Sequence, residues 1–197
     1  MHARLSSADL PGTWGFGFWN DPFGFSLGFG GKPGQLPALP RTAWFMHASP
    51  PNWLSFQDDS ETIPANGFFA GTFQSPGLPS ILFAPGLLAV PVCAIRPVSR
   101  LLRKLANRII RQDAVKVKLD VTLWHEYSIQ WLPESCAFSV DGSEILHTPC
   151  SPHPPLGLVL WIDNQYAAWT PEGQLRYGTL ENPSAWMEIE RLNIWQE

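Results

Sequence analysis

The sequence predicts an all-β fold, an antiparallel β-sandwich with a partly helical insertion, and three observations support this prediction. The 197-residue chain contains 20 prolines and 16 glycines, which is typical of short strands joined by turns. It is 45% hydrophobic and 15% charged, so it can bury a sizeable core. Its apolar residues alternate with polar ones in short runs that lack the strand–helix–strand units of a parallel sheet. We therefore expect a single β-sandwich domain over residues 1–197.

The strands fall into two groups, one on each side of an unusual central zone. Short apolar runs between Gly and Pro breaks predict strands over 3–7, 13–19, 23–29, 43–48, 53–57 and 68–74. The second group is predicted over 115–121, 126–131, 137–140, 144–147, 156–163 and 186–195.

The clearest local unit is a hairpin in the second group. Tyr127, Ile129 and Trp131 alternate with polar residues, which is the period of a half-buried strand. Asp141-Gly142 then separates two further strand-like runs. A two-residue type I′ turn needs a positive φ at both central positions, and Asp-Gly provides it. The sequence therefore predicts a tight hairpin at this point.

Residues 76–112 behave as an insertion between the two groups. No acidic residue occurs from residue 62 to 112, and the uncharged run 80–95 is too short and too interrupted by proline to span a membrane. Residues 98–110 follow, with apolar side chains at helical spacing and basic side chains opposite. One alternative is that the apolar face packs on the sandwich and the basic face is solvated. The other is that residues 80–111 contact a membrane, and that residues 76–112 act as a lid or a membrane-facing flap.

Composition limits the classes of function. The net charge of −4 excludes the general electrostatic footprint of a nucleic-acid-binding protein. The three cysteines lack metal-ligand spacing, so we expect buried free thiols, no metal and no cofactor. The first residues lack the apolar core of a signal peptide, which predicts a cytoplasmic or membrane-peripheral protein.

Several stretches resemble one enzyme family when they are read together. ARL and PGTWGFGFW (3–5 and 11–19), WHEYSIQWLP (124–133) and FSVDG (138–142) are similar to segments of family 16 glycoside hydrolases, in the family's order. The run from 155 to 162 and the closing strand 187–194 are also similar. The resemblance implies a concanavalin A-like jelly roll with a ligand cleft on the concave face of one sheet. It also implies strands before residue 3, so the domain is either reduced or begins upstream.

The chain departs from this family at the catalytic strand. The resemblance implies a Glu-x-Asp-x-(x)-Glu motif, and the corresponding strand is 42–48, which contains no carboxylate. Nor does any Asp or Glu occur between Lys32 and Gln57. A retaining glycosidase needs two carboxyl groups about 5 Å apart. We therefore expect a binding domain without the standard hydrolytic mechanism.

The expected ligand is a glycan, a glycolipid or an apolar small molecule. Indole rings pack against the C–H face of a sugar, and amide or carboxylate groups bind its hydroxyls. The turn-forming tendency of Asn and Asp offers an alternative role for the polar candidates. The candidate ligand-binding residues are Trp19, Asn20, Trp44, His47, Trp53, Trp161, Asp163, Asn164 and Tyr166.

A divergent enzyme with a relocated acid or base is the rival hypothesis. His47 could serve as a base or as a structural residue, and Asp58 and Asp163 are the matching carboxylate candidates. Asp21, Asp59 and Glu61 are further acidic candidates. Asp58, Asp59 and Glu61 could equally form a solvated acidic loop or bind calcium, although calcium usually needs more oxygen ligands than these.

Overall fold

The fold is an antiparallel β-sandwich with one helix attached at its side. The computed structural model describes residues 1–21, 38–58, 62–77, 94–181 and 183–195. These residues form two five-stranded sheets, a two-stranded ribbon and the helix. The predicted all-β sandwich with a partly helical insertion is thereby confirmed.

The first sheet has the strand order β12-β1-β6-β7-β8. Its strands are antiparallel neighbours, and the chain's beginning is paired on both sides, with β12 and with β6. Its strands are β1 (His2–Leu5), β6 (His125–Trp131), β7 (Cys136–Val140), β8 (Ser143–Thr148) and β12 (Met187–Arg191).

The second sheet has the order β5-β4-β3-β2-β9 and carries the candidate site. Strand β2 lies at its centre, between β3 and β9, and all pairings are antiparallel. Its strands are β2 (Thr13–Trp19), β3 (Thr42–Ala48), β4 (Gly67–Gln74), β5 (Arg111–Lys116) and β9 (Gly157–Asp163). The ribbon consists of β10 (Gln165–Trp169) and β11 (Leu175–Thr179).

The core lies between the two sheets and is aromatic. Phe16 and Phe45 from the second sheet meet Tyr127 and Phe138 from the first, and Trp14 joins the same buried cluster. Phe45 packs edge-on against Tyr127 and Phe138, with ring centroids 5.2 and 5.5 Å away. Such edge-to-face pairs contribute about 0.5–1.5 kcal/mol each beyond the burial of their area.

Two of the three cysteines lie in the described residues, and both are buried free thiols, as predicted. Burial raises the pKa of Cys136 to about 11, and burial also raises the pKa of Cys150. Cys93 lies outside the described residues.

The predicted hairpin turn is confirmed. Asp141 and Gly142 have φ values of 50° and 77°, and Val140 pairs directly with Ser143 across them. Positive φ at both central positions is the requirement of the type I′ turn.

The helix α1 (Arg96–Ile109) overlaps the predicted helical segment, and the apolar side chains of this segment are divided between its buried and its exposed side. Leu101, Leu105 and Ile109 are 58%, 41% and 43% exposed, whereas Leu102 and Ala106 are half-buried. The buried side chains are Ser99 and Arg103. These two polar side chains bond to the loop after β3 and to Trp169 of the ribbon.

Several strand boundaries differ from the predictions. Residues 53–57 form no strand, and only Trp53 makes an isolated bridge, with Ala168. Strand β5 begins at Arg111, inside the predicted insertion. It does so because its residues pair with β4, from Gln74 opposite Arg111 back to Phe69 opposite Lys116. The ribbon β10–β11 was not predicted. The predicted strand 23–29 lies outside the described residues.

Candidate functional site

The second sheet has a second aromatic surface on the side that faces away from the core. Paired residues of antiparallel strands point to the same face, and successive residues alternate between faces. Six large apolar residues share this side and pack on one another. We call them the outer aromatic face: Trp19, Trp44, Met46, Phe69, Phe73 and Trp161.

Glycines of β2 make room for two of these tryptophans. A Cβ built at Gly15 would lie 2.5 Å from the ring of Trp161, and one at Gly17 would lie 2.7 Å from the Cβ of Trp44. Real Cβ atoms do not approach this closely. At Gly15 and Gly17, strand β2 therefore has no side chain on its outer face, and the indoles of Trp161 and Trp44 occupy this space.

Three tryptophans form the centre of the outer aromatic face. The ring of Trp44 lies 5.8 Å from that of Trp19 and 5.5 Å from that of Trp161, with tilted planes. Trp44 is buried, whereas Trp19 and Trp161 are half-buried. The two outer indoles therefore offer the accessible apolar surface.

A short hydrogen-bonded chain connects the aromatic centre to a carboxylate. Trp161 Nε1 donates to Thr13 Oγ1 at 3.0 Å, and Thr13 Oγ1 donates to Asp163 Oδ1 at 3.0 Å. The backbone N–H of Gln165 also donates to Asp163 Oδ1, at 3.0 Å. These bonds fix the orientation of the Trp161 ring and of the Asp163 carboxylate.

Two buried polar atoms on this side have no hydrogen-bond partner. Within the described ranges, Trp44 Nε1 and Thr42 Oγ1 are buried and unpaired. Thr42 pairs with Trp19 across the sheet, so its side chain lies on the same face. A buried unpaired polar group costs about 1–3 kcal/mol. Such a cost is often found where a ligand or ordered water completes the bonding.

One half of the outer aromatic face is covered by the loop after β3. Leu54 packs against it, and Phe56 packs edge-on against Phe73 with ring centroids 5.8 Å apart. The crevice between this loop and the sheet has a volume of about 10 Å³. It has room for about one water molecule. A larger ligand would therefore enter from the side of Trp19 and Trp161.

Three predicted ligand-binding residues, Asn20, Asn164 and Tyr166, lie outside the outer aromatic face. Asn20 donates to the carbonyl of Leu39 and accepts from the N–H of Arg41, and Asn164 donates to the carbonyl of Leu180. These amides therefore stabilise loop backbones. The Tyr166 ring lies over Gly178 in the ribbon.

Trp53 belongs to the covering loop rather than to the sheet. Its N–H donates to the carbonyl of Ala167, and its carbonyl accepts from the N–H of Trp169. Its Nε1 is a further buried atom without a partner in the described part of the chain.

His47 lies on the core side of the sheet, in contrast to its expected cleft-facing position. Its ring stacks on Trp14 with a centroid distance of 5.4 Å and an angle of 5°. Burial lowers its pKa, although the backbone of Leu10 and the charge of Asp9 oppose this. The residue is one position from Ala48, which pairs with Thr13 on the outer side. A single residue of register decides which face a side chain occupies.

The carboxylate candidates are not brought together with His47. Asp58 accepts from Arg103 Nε and Nη2 at 3.3 and 3.2 Å, so it binds α1. Asp163 lies on the outer side of the sheet, opposite to His47. Asp21 follows β2 with a φ of 45°. Asp59 and Glu61 lie outside the described residues.

Sequence reasoning missed Thr13 and Thr42, the polar neighbours of the tryptophans. The signal was present in β2, where Thr13, Gly15, Gly17 and Trp19 occupy one face and three aromatic residues occupy the other. Alternation of glycine with aromatic residues indicates a strand that has one filled face and one open face. It does not indicate which polar side chain on the neighbouring strands will face the opening.

Among the described residues, no cluster of three His, Cys, Asp or Glu side chains could hold a metal ion. No helix of the described ranges is long and apolar enough to cross a membrane.

Comparisons with known proteins add no relative. No protein-family model, curated protein or solved structure matches the chain. The structure itself shows an antiparallel β-sandwich with an aromatic surface on the outer side of one sheet.

Proposed function

We propose that this protein is a family-16-like domain that binds a carbohydrate or glycolipid on its outer aromatic face without the retaining glycosidase mechanism. The observation that carries the proposal is the group of Trp19, Trp44 and Trp161 beside the unpaired Nε1 of Trp44. The resemblance of the sequence motifs to family 16 glycoside hydrolases is the reason for proposing a carbohydrate as the ligand. An apolar small molecule would use the same aromatic surface.

The chemistry of the site suits a sugar ring. The half-buried rings of Trp19 and Trp161 can pack on axial C–H groups. Trp44 Nε1 is a donor, and a ligand hydroxyl that reached it would supply the missing acceptor. A carboxylate has about four acceptor positions. Asp163 Oδ1 already receives two hydrogen bonds, so the group keeps capacity for a hydroxyl donor.

The distribution of carboxylates favours binding over retaining hydrolysis. Retaining enzymes use two carboxyl groups about 5–5.5 Å apart. Of the described strand residues that point outward with Trp44, Asp163 alone is acidic. One carboxylate cannot act as both nucleophile and acid.

The direct experiment is a tryptophan fluorescence titration with β-glucans, galactans and glycolipids. We expect a saturable change with one of these ligands. Trp161→Ala should weaken the affinity roughly tenfold, since a stacked aromatic contributes about 0.5–1.5 kcal/mol beyond its area.

The matched control is Trp186→Phe, because Trp186 is 54% exposed and precedes β12 of the first sheet. This variant should bind as the wild type does. A folded protein that responds to none of the three ligand classes would contradict the proposal, and so would equal losses in Trp161→Ala and Trp186→Phe.

A divergent hydrolase is the alternative, and turnover distinguishes it. We expect no product from a panel of glycosidase substrates. Hydrolysis that is abolished by His47→Ala or Asp163→Ala would overturn the binding proposal in favour of an enzyme.

A further inference from the structure

The outward side of α1 carries two parallel rows of side chains. Residues four apart lie one above the other on a helix. The apolar row consists of Leu101, Leu105 and Ile109, and all three side chains are exposed. The basic row consists of Arg100, Lys104 and Arg108, which are exposed as well.

The hydrogen bonds of the buried side of α1 determine which face of the helix is exposed. Ser99 and Arg103 are 0% and 2% exposed. Arg103 donates to the carbonyls of Ser55, Gln57 and Trp169, and Ser99 Oγ accepts from Trp169 Nε1 at 2.8 Å. The helix cannot turn its apolar row inward without breaking these bonds.

The basic row keeps its charge available to a partner. Arg100 donates to the carbonyl of Glu172 at 2.9 Å. Within the described residues, Lys104 and Arg108 have no ion pair, whereas the nearby Asp58 is bound to Arg103. A cationic row therefore runs directly beside an apolar one.

We propose that this outward face of α1 docks on an anionic lipid surface. A helix of 14 residues is about 21 Å long and can lie flat in the interface. Leu101, Leu105 and Ile109 would enter the boundary between headgroups and acyl chains. Arg100, Lys104 and Arg108 would extend to the phosphates, as long basic side chains do beside apolar surfaces.

The combination of the two rows identifies the occupant. An apolar row alone would suit a protein groove equally well. A parallel basic row on the same exposed side is complementary to a partner that has negative charge along its whole length, next to an apolar layer. A bilayer that contains acidic phospholipids has this layered arrangement.

The test is flotation of the full chain with phosphatidylcholine vesicles, with and without phosphatidylserine, at low and high salt. We expect binding only to the phosphatidylserine vesicles and weaker binding at high salt. Each basic residue near an anionic surface contributes about fivefold to binding. Lys104→Gln with Arg108→Gln should therefore bind about 30-fold more weakly.

Matched controls separate this face from general charge and hydrophobicity. Leu101→Ser with Leu105→Ser should reduce binding roughly tenfold or more. Leu123→Ser with Leu175→Ser should not, although those side chains are also 58% and 41% exposed. Lys116→Gln with Lys118→Gln removes the same charge from β5 and the residues after it, and should leave binding unchanged.

Three results would overturn the proposal. The first is no flotation with any vesicle, and the second is an equal loss in the control variants. The third is a lower melting temperature of Leu101→Ser with Leu105→Ser without a change in flotation, because the apolar row would then be covered within the protein or by a second copy. Trp161→Ala should float as the wild type does, so this test and that of sugar binding can fail independently.

Discussion

Arg103 shows how one residue can decide the position of an element. Its Nη1 donates to the carbonyls of Ser55 and Trp169 at 2.9 and 2.7 Å, and its Nη2 donates to the carbonyl of Gln57 at 2.9 Å. Burial lowers its pKa, and the hydrogen bond and charge of Asp58 oppose this effect. A planar guanidinium can satisfy several fixed acceptors at once, which a lysine cannot do.

We expect Arg103→Met to lower the free energy of unfolding by about 2–4 kcal/mol, because it leaves buried carbonyls without donors. Urea denaturation followed by circular dichroism measures the change. Arg108→Met is the control, since Arg108 is exposed on the same helix, and it should change stability by less than about 0.5 kcal/mol. Equal effects of the two variants would contradict the role of Arg103.

At the scale of elements, the hairpin of β7 and β8 is tied to β6 through its turn. Asp141 Oδ1 accepts from the backbone N–H of Glu126 at 2.8 Å, and Oδ2 lies 2.6 Å from His125 Nδ1. The hydrogen bond with His125 is the main reason that the pKa of Asp141 lies below its ordinary value of 3.8. The turn residue thus holds three strands together.

A carboxyl group whose pKa is lower in the folded state than in the unfolded state stabilises the fold at pH values above its ordinary pKa. This stabilisation is lost as the pH falls through the lower pKa of the folded state. We expect Asp141→Asn to lower stability by about 1 kcal/mol or less at neutral pH, since the carboxylate is largely exposed. Asn-Gly also favours the type I′ turn, so the variant removes the charge of residue 141 and keeps the turn.

The measurement is urea denaturation of wild type and Asp141→Asn over a range of pH. The difference between them should shrink as the pH falls below 3.8. A difference that stays constant down to acid pH would show that the charge of Asp141 is not responsible.

Element boundaries also show what sequence patterns could predict. The run 13–19 alternates cleanly and matches β2 to the residue. The run 53–57 is equally apolar but folds over the outer aromatic face, because Leu54 and Phe56 find their contacts there. Apolar character predicts burial, and it does not distinguish a strand from a covering loop.

For the whole molecule, the two thiols report whether the sheets stay together. Cys136 lies in the core between the sheets. Cys150 follows β8 of the first sheet and is buried as well. Burial raises the pKa of both thiols, so little reactive thiolate exists at neutral pH.

We expect these thiols to react with a disulfide reagent only when the sandwich opens. The experiment uses Cys93→Ser, so that Cys136 and Cys150 are the remaining thiols. Labelling should be slow in buffer and complete in urea, and the amplitude should follow the unfolding transition. Rapid labelling of the native protein would contradict the closed packing of the two sheets.

The sequence alone determined the properties that depend on neighbouring residues. Alternation with a period of two predicts the strands, the spacing of Leu101 and Leu105 predicts the helix, and Asp141-Gly142 predicts the turn, because local backbone geometry governs each of them. Only the tertiary structure decided which sides these elements present. His47 faces the core because of its register with Trp14. Helix α1 turns Arg103 inward because the carbonyls of Ser55, Gln57 and Trp169 converge on it from distant parts of the chain. The positions of such acceptors in space are not encoded in the periodicity of the helix itself.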